Sequence, residues 1–441
     1  MSESSASESH QLLKSLEFCV FDLETTGGNQ DKDKIIEIGM VKIKDLEITE
    51  KKGMLIRPEI KIPDFIQKLT NISQKDVKES PVIEDVIDEI LNFMGDSILV
   101  AHNTSFDVPF FNSVLRRLGK PELKNNTLCT NLMTKYMIPN LMNSNLNYMS
   151  RIFKIGHNKA HRALDDAEAT AELLLKYLRI FEHKNISKVN NLYYPRNRFE
   201  LDRANFKKGD DIELVEKKLL EVKCSALVTF KGENGIILYS LPYNGSKTDR
   251  NKILEKSKEV DWENITIKLY GPLLESIVHL NTLYSKLEAN QRQDIFDHLC
   301  QEHLPELDFK TGSKLESPVD EQVDFIILHH LVPEQMIIYP IQSLHPRSEL
   351  IFRYPGHKKK LVQYINSKGA KIKTQKLKKV HFHPQLKQFL DHYLVKIKDS
   401  NNDVFMFSRK LVKKGPQHFH EAVEEFLDKN PNPYNFPRDF I

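Results

Sequence analysis

Four carboxylates and one histidine, spread over three short motifs, are the residues of this chain whose types and spacing could do chemistry together. They fall in Phe21-Asp22-Leu23-Glu24-Thr25-Thr26-Gly27, in His102-Asn103-Thr104-Ser105-Phe106-Asp107 and in His161-Arg162-Ala163-Leu164-Asp165-Asp166-Ala167. Four acids with a histidine can hold two divalent cations and activate a water, which is the equipment for metal-assisted hydrolysis of a phosphodiester. Asp22 and Glu24 lie two apart on a predicted strand, so both side chains leave the same face. Phe18, Cys19, Val20 and Phe21 before them are apolar on both faces, as in a central strand with helices above and below. The acids therefore sit where a buried strand ends.

Asp107 falls in the first turn of a predicted helix, with Ser105 or Thr104 as N-cap. Pro109 is tolerated there because first-turn amides have no intrahelical acceptor. Alone, such an Asp reads as a complement to the helix dipole. His102-Asn103, directly after a buried strand, shifts that reading by placing polar groups at the same sheet edge as Asp22. His161 and Asp166 are five apart, which on one continuous helix would separate them onto different faces. The spacing works if the helix begins after His161, leaving the histidine on a loop and Asp166 pointing inward. Ala163 and Ala167 then allow close approach, and Asp165 faces elsewhere as a cap or solvated acid. A histidine beside carboxylates reads as a general base, since its pKa lies near working pH.

The elements that must position these groups alternate strand and helix. Residues 17–25, 34–44 and 49–57 read as consecutive strands, and 97–101 as a short buried one. Helical periodicity covers 81–94 (Val82, Val86, Ile90 and Phe93 on one face), 106–118 (Phe111, Val114, Leu115 and Leu118 inward), 145–153 and 165–180. The expected fold class is α/β, a mixed sheet flanked by helices, followed by an α+β C-terminal region. Expected boundaries are a tail at 1–14, a first domain at 15–182 and a linker at 183–204. An α+β domain at 205–304 and a basic α+β region at 305–441, entered by an acidic linker, complete the chain. Hairpins are expected at 226–241 and 325–341.

At 441 residues, with 40% hydrophobic and 28% charged residues, the chain suits two or three ordinary soluble domains. No apolar run is long enough to span a bilayer, and the N-terminus lacks the basic and apolar regions of a signal peptide. Cys19, Cys129, Cys224 and Cys300 are far apart without a Cys-x-x-Cys pair, which excludes a zinc ribbon and points to reduced thiols in a cytoplasmic protein. The net charge of +3 conceals an asymmetry. From Arg347 to Lys414 eighteen Lys and Arg face four acids, Glu349, Asp391, Asp399 and Asp403. Lys358-Lys359-Lys360 and the cluster at 371–379 interleave with Phe352, Tyr354, Tyr364 and Phe382. Such a pattern could track a nucleic-acid backbone and stack bases, or be a solvated surface over a core.

The three motifs resemble the three exonuclease motifs of the DnaQ-like, DEDDh class of 3′→5′ exonucleases. That class includes the proofreading epsilon subunit of bacterial DNA polymerase and ribonuclease T. The resemblance covers residues 15–180, and three motifs in order at compatible spacings carry it. Leu69-Thr70-Asn71-Ile72-Ser73 and Thr127-Leu128-Cys129-Thr130 also look like the family's intervening segments. Asn126 departs from the acid often found before the Thr-Leu pair, at a position that holds no metal.

The resemblance implies a ribonuclease-H-like fold with two Mg²⁺ or Mn²⁺ ions. Asp22, Glu24 and Asp166 would bind the first, and Asp22, helped by Asp107 through water, the second. His161 would be the base, and Leu23, Thr25, Asn103 and Phe106 would line the terminal nucleotide. The implied reaction releases nucleoside 5′-monophosphates from single-stranded or 3′-ended nucleic acid, DNA favoured, in proofreading or repair. DNA polymerase or repair proteins are the expected partners, with no membrane. Two other readings stand beside it: a scaffold that uses the fold for docking in a replication or repair complex, and an RNA-processing exoribonuclease. A pure scaffold would have no physical reason to keep mutually repelling carboxylates together. The second half resembles no nameable family.

Overall fold

Strand β1 (Phe18–Thr25) is apolar on both faces because it is the middle strand of a five-stranded sheet. The computed structural model describes residues 13–138, 140–157, 161–184, 186, 192, 200–307, 323–373, 382–399 and 404–434. They form two compact units that divide between Glu200 and Leu201.

In the first unit the order is β3-β2-β1-β4-β5. Strands β2 (Ile35–Lys44) and β3 (Glu47–Leu55) run antiparallel to their neighbours, whereas β4 (Ile98–Ala101) and β5 (Thr127–Cys129) run parallel. Helices α1 (Asp64–Thr70), α2 (Ile83–Met94), α3 (Thr104–Arg117), α4 (Thr130–Met137), α5 (Leu146–Phe153) and α6 (Ala163–His183) complete it. Ile87 and Ile90 of α2 and Phe110 and Phe111 of α3 pack on Cys19, Phe21 and Met40, covering one face. Helix α6 lies across β1 and β2 on the other. This is a mixed ribonuclease-H-like sheet between helices.

Two close approaches fix α6. A Cβ on Gly39 would lie 2.2 Å from the carbonyl of Ala163, so only glycine lets the first turn rest on β2. Thr134 Oγ1 and Tyr177 Oη, both buried, meet at 2.6 Å between α4 and α6. The expected elements are found with ends moved by a few residues, except that the N-cap position of α3 falls to Asn103 rather than Ser105 or Thr104, with no side-chain capping bond. Leu13, placed in the expected tail, is buried in a short 3-10 turn because an apolar side chain has core to reach.

The second unit carries two antiparallel sheets. Strands β6 (Arg203–Lys207), β7 (Ala226–Lys231), β8 (Ile237–Tyr243) and β9 (Asn264–Leu269) have the order β6-β9-β7-β8. Strands β10 (Phe325–His329), β11 (Gln335–Pro340), β12 (Leu350–Arg353) and β13 (Val404–Phe407) have the order β12-β11-β10-β13. With them fold α7 (Ile212–Glu221), α8 (Lys247–Glu259), α9 (Leu273–Tyr284) and α10 (Ala289–His303). After β12 come α11 (Lys358–Lys373), α12 (Pro384–Asp399), α13 (Arg409–Lys413) and α14 (Pro416–Lys429). Helix α9 joins the sheets: it packs on β7 and β8, while its Leu274 and Val278 share a core with Ile326, Leu328 and Ile337.

Both expected hairpins are present. Most of the expected 183–204 linker and of the acidic linker at 305–320, together with Lys376, Lys378 and Lys379 of the basic cluster, lie outside the described residues. Cys19, Cys224 and Cys300 are buried and none of the four cysteines is paired; burial pushes the Cys19 thiol up to about 12. Among the described residues no helix is long and apolar enough to cross a membrane.

Candidate active site

Strand β1 pairs with β4 only as far as Val20, opposite Val100. Beyond that point β1 continues alone on this side, and Asp22 and Glu24 project from the free stretch. The chain leaving β4 turns through His102 and Asn103 into α3, which brings Asp107 back beside β1. The Asp107 carboxylate is 4% exposed; burial raises its pKa, and its own backbone N–H and that of Leu23 oppose the rise. His102 is turned away from this edge: its Nδ1 lies 3.0 Å from Thr130 Oγ1 and its Nε2 2.8 Å from the Ser144 carbonyl. Burial holds it down at about 4, so it is a neutral strut and not a titrating partner of the acids.

The fourth acid arrives on α6. That helix starts at Ala163, directly after His161, so Asp166 stands in its first turn and faces β1. His161 takes a left-handed φ of 65°, a conformation that costs a non-glycine residue energy and is retained where the surroundings enforce it. Ligand atoms of Glu24, His161 and Asp166 lie within 4.8 Å of one another. Asp22 and Asp107 complete the group electrostatically, since the charges of Asp107, Asp166 and Glu24 all bear on Asp22.

Three contributors escape sequence reading. Glu37 on β2 sits opposite Glu24 in register and is 4% exposed. Arg162 grips it with Nε and Nη2 at 2.7 to 3.2 Å, and its Oε2 accepts the Ala163 N–H at 2.9 Å. One carboxylate thus caps α6 from a neighbouring strand and holds its first turn against the site. The readable signal was an isolated acid between Ile36 and Ile38 in a buried strand, because a buried charge needs a partner. The third is His157, whose Nε2 lies 2.5 Å from Asp166 Oδ1, while Oδ2 receives the His161 N–H at 3.3 Å. No spacing rule would have found it.

Glu37→Ala is expected to loosen α6 and misplace His161 and Asp166. It should cost about 1–3 kcal/mol, toward the low side for a buried pair because Arg162 keeps a third of its side chain in water. Glu37→Gln, which retains an acceptor for the Ala163 N–H, should recover part of both stability and hydrolysis. Denaturant midpoints and initial rates of the two variants check this. Equal losses in both would mean that the Arg162 charge, and not the cap, does the holding.

The acids repel one another in a poorly solvated place. Burial first, then Asp166, Glu37 and Asp107, push Glu24 up to about 8. Burial pushes Asp107 up to about 7 and holds Asp22 well above the carboxylate range, with Asp107, Asp166 and Glu24 adding to it. Asp166 is raised by burial despite the opposing bond to His157. Arg162, whose charge opposes the rise at Glu24, is bound to Glu37. Oxygen donors with a surplus of negative charge and a single imidazole are a donor set for hard divalent cations, so the residues present fit Mg²⁺ or Mn²⁺.

The sign of the resulting pH dependence follows. These folded carboxyls titrate above their unfolded values near 4, so the stability they contribute is present at low pH and is lost as pH rises through about 7 to 8. In EDTA the melting temperature should fall between about pH 6 and pH 8.5, and Glu24→Gln should flatten the fall. Added Mg²⁺ should restore the loss in the wild type. Parallel curves for wild type and Glu24→Gln would refute this account.

Of the expected nucleotide-contacting residues, Asn103 is exposed and its Oδ1 accepts Ser105 Oγ at 2.8 Å. Phe106 is partly exposed against Phe110, with ring centroids 5.7 Å apart. Leu23 and Thr25 are mostly buried, and the Thr25 hydroxyl donates to the Gly27 carbonyl at 2.7 Å. Asn103 and Phe106 thus offer surface at the edge where the acids gather, and Leu23 and Thr25 offer little.

A ribonuclease-H-like sheet with acids at the end of its central strand defines a class, and comparison with known proteins places the chain within it. The Exonuclease family profile matches residues 19–174. The epsilon subunit of DNA polymerase III from Aquifex aeolicus is 36% identical over 161 residues, which cover 36% of this chain and 80% of that protein. The chain belongs to this exonuclease family. The PolC-type DNA polymerase III of Clostridium perfringens is 41% identical over 177 residues, 40% of this chain. The match spans 12% of that polymerase's length. A solved structure of exonuclease X in complex with 5′ overhanging duplex DNA is 28% identical, with a TM-score of 0.30, covering 36% of this chain and 89% of that one.

Proposed function

We propose that the first unit is a metal-dependent 3′→5′ exonuclease that hydrolyses terminal phosphodiesters and releases nucleoside 5′-monophosphates. The observation that carries this is the convergence of Asp22, Glu24, Asp107 and Asp166 around the end of β1, with His161 in reach of two of them. Asp22, Glu24 and Asp166 would hold one cation, and Asp22 with Asp107 a second. When bound, such ions neutralise the phosphate and stabilise the charge developing on the leaving 3′ oxygen.

The chain's own residues do the rest. His161, on the loop before α6, accepts the proton of the attacking water at a ring nitrogen; its placement is held by Asp166 below and the Glu37 cap behind. The carboxylates, repelling one another, favour a cation over a proton as pH rises. Asn103 and Phe106 flank the site and would orient the terminal nucleotide. No protein nucleophile is needed, since a water attacks. DNA is the favoured substrate because two of the similar proteins named above are a DNA polymerase III and a subunit of one, and a cytoplasmic place beside a polymerase or repair complex suits it.

Incubating the full chain and Mg²⁺ with 5′-labelled single-stranded DNA, duplex DNA and RNA tests the proposal. A ladder shortening from the 3′ end, abolished by EDTA, is the expected result. Absence of cleavage on all three would leave a docking role for the fold, and preference for RNA would make it an exoribonuclease.

A further inference from the structure

Sorting the basic residues of the second unit by their partners divides them into two populations. Arg353 pairs with Glu334 at 2.9 Å, Lys358 with Glu424 at 2.7 Å, Lys387 with Asp391 and Lys396 with Glu306 at 3.3 Å. Arg409 donates its backbone N–H to Asp324 Oδ2 at 2.8 Å and its Nη1 to the Gly369 carbonyl at 2.9 Å. These cations hold the fold together, and Lys358 belongs with them although the sequence groups it with Lys359 and Lys360.

The other population has no such employment. Lys368, Lys410, Lys413 and Lys414 form no ion pair among the described residues, and the last three are exposed. On α13 and the residue after it, positions 410, 413 and 414 are three and four apart and share one face. The Arg409–Gly369 bond sets that helix against the C-terminal part of α11, where Lys368 and Lys371 stand. Burial lowers the Lys368 pKa, and the charge of Lys371 adds to it. No acid occurs on α11 or α13, and none occurs from Leu350 to Leu390, a run that holds eleven Lys and Arg. Lys359 and Lys360 stand about 15 Å back along α11 from Lys368 and Lys371.

The aromatic residues of the region are committed elsewhere. Phe352 is wholly buried, Tyr354 Oη donates to the His420 carbonyl at 3.1 Å, and the Tyr364 hydroxyl donates to the Ser348 carbonyl. They fill the core under the helices and are not a platform for bases, contrary to the alternation of basic and aromatic residues in the sequence.

We infer that the joint face of α11 and α13, built from Lys368, Lys371, Lys410, Lys413 and Lys414, is a second nucleic-acid surface that grips the phosphate backbone without reading bases. Like charges gathered on one face repel one another, and a polyanion relieves that repulsion while releasing its condensed cations. The choice of nucleic acid among polyanions rests on the exonuclease reading of the first unit. With no aromatic platform among the described residues, the grip depends on charge alone, so it is steep in salt and indifferent to base identity.

Binding of a fluorescent 30-nucleotide DNA strand to the full chain, in EDTA and across about 25 to 200 mM salt, tests this. Each phosphate neutralised on a single strand contributes about 0.7 to the log–log salt slope. Lys410→Gln/Lys413→Gln/Lys414→Gln should therefore flatten the slope by about 2, whereas Lys358→Gln should leave it unchanged. An abasic strand of the same length should behave as the normal strand does. An unchanged slope in the triple variant overturns the inference, as does loss of binding to the abasic strand. Lysine-dependent binding to phosphatidylserine vesicles without binding to either strand also overturns it, in favour of a membrane surface. Hydrolysis of a tetranucleotide by the triple variant, with Mg²⁺, is expected at the wild-type rate. If wild type and variant both leave it intact, the exonuclease reading fails while the slope comparison still stands.

Discussion

Asp22→Ala is expected to leave no measurable Mg²⁺-dependent release of nucleotides, and Asp22→Asn is expected to raise the melting temperature of the metal-free chain. Both outcomes have one cause. Asp22 is the acid on which the other three bear, and it is shared between the two cation positions proposed here. Removing it deprives a site that must take a negatively charged phosphodiester of the charge that gathers cations. In the absence of metal the same carboxylate is a liability, because burial and its neighbours oppose its ionisation. An uncharged isostere relieves that repulsion, a gain on the order of 1 kcal/mol in a metal-free melt. Stabilisation by added Mg²⁺, clear in the wild type, should shrink in the variant by linkage. Asp166→Ala should match the loss of hydrolysis. Undiminished Mg²⁺-dependent cleavage by purified Asp22→Ala protein would falsify the assignment of the site, whatever its melting temperature.

The groups that do chemistry were legible because their spacing obeys local geometry. Two acids at i and i+2 on a strand share a face, and an acid five residues past a histidine meets it only if a helix begins between them. The structure has that break at Arg162, where the backbone is still extended. What stayed hidden depends on partners far away in sequence. Glu37 and Arg162 are 125 residues apart, so neither could be read as a cap. His102 looked like an edge residue, but its partners are Thr130 and the Ser144 carbonyl, 28 and 42 residues on. Strand β6, whose first two residues fall in the expected linker, goes unread because Arg203–Lys207 alternates only weakly; it is a strand by virtue of β9, which supplies its hydrogen bonds. In the basic region the sequence grouped Lys358 with its neighbours, yet Glu424, on a helix 66 residues later, removes it from the free charges.

Two histidines stand at Asp166, and replacing them one at a time should separate base from bracket. His161→Ala is expected to slow turnover by on the order of a hundredfold or more while metal affinity is largely kept. Its ring lies beside both Glu24 and Asp166 on a loop with partial exposure, where a water can reach it. His157 is placed differently: its side chain is 5% exposed, Nε2 is bound to Asp166 Oδ1, and Nδ1 is buried with no hydrogen-bond partner among the described residues. A ring so enclosed can orient a carboxylate but has no path to a substrate water. His157→Ala should therefore weaken Mn²⁺ binding and raise the Mg²⁺ concentration needed for half-maximal rate, with a smaller effect at saturating metal. The pH–rate profiles at saturating Mg²⁺ decide between the two. Protonation of the general base costs activity at low pH, so the acidic limb should vanish in His161→Ala and persist in His157→Ala. If the limb instead persists in His161→Ala and vanishes in His157→Ala, the roles are reversed and His157 is the base.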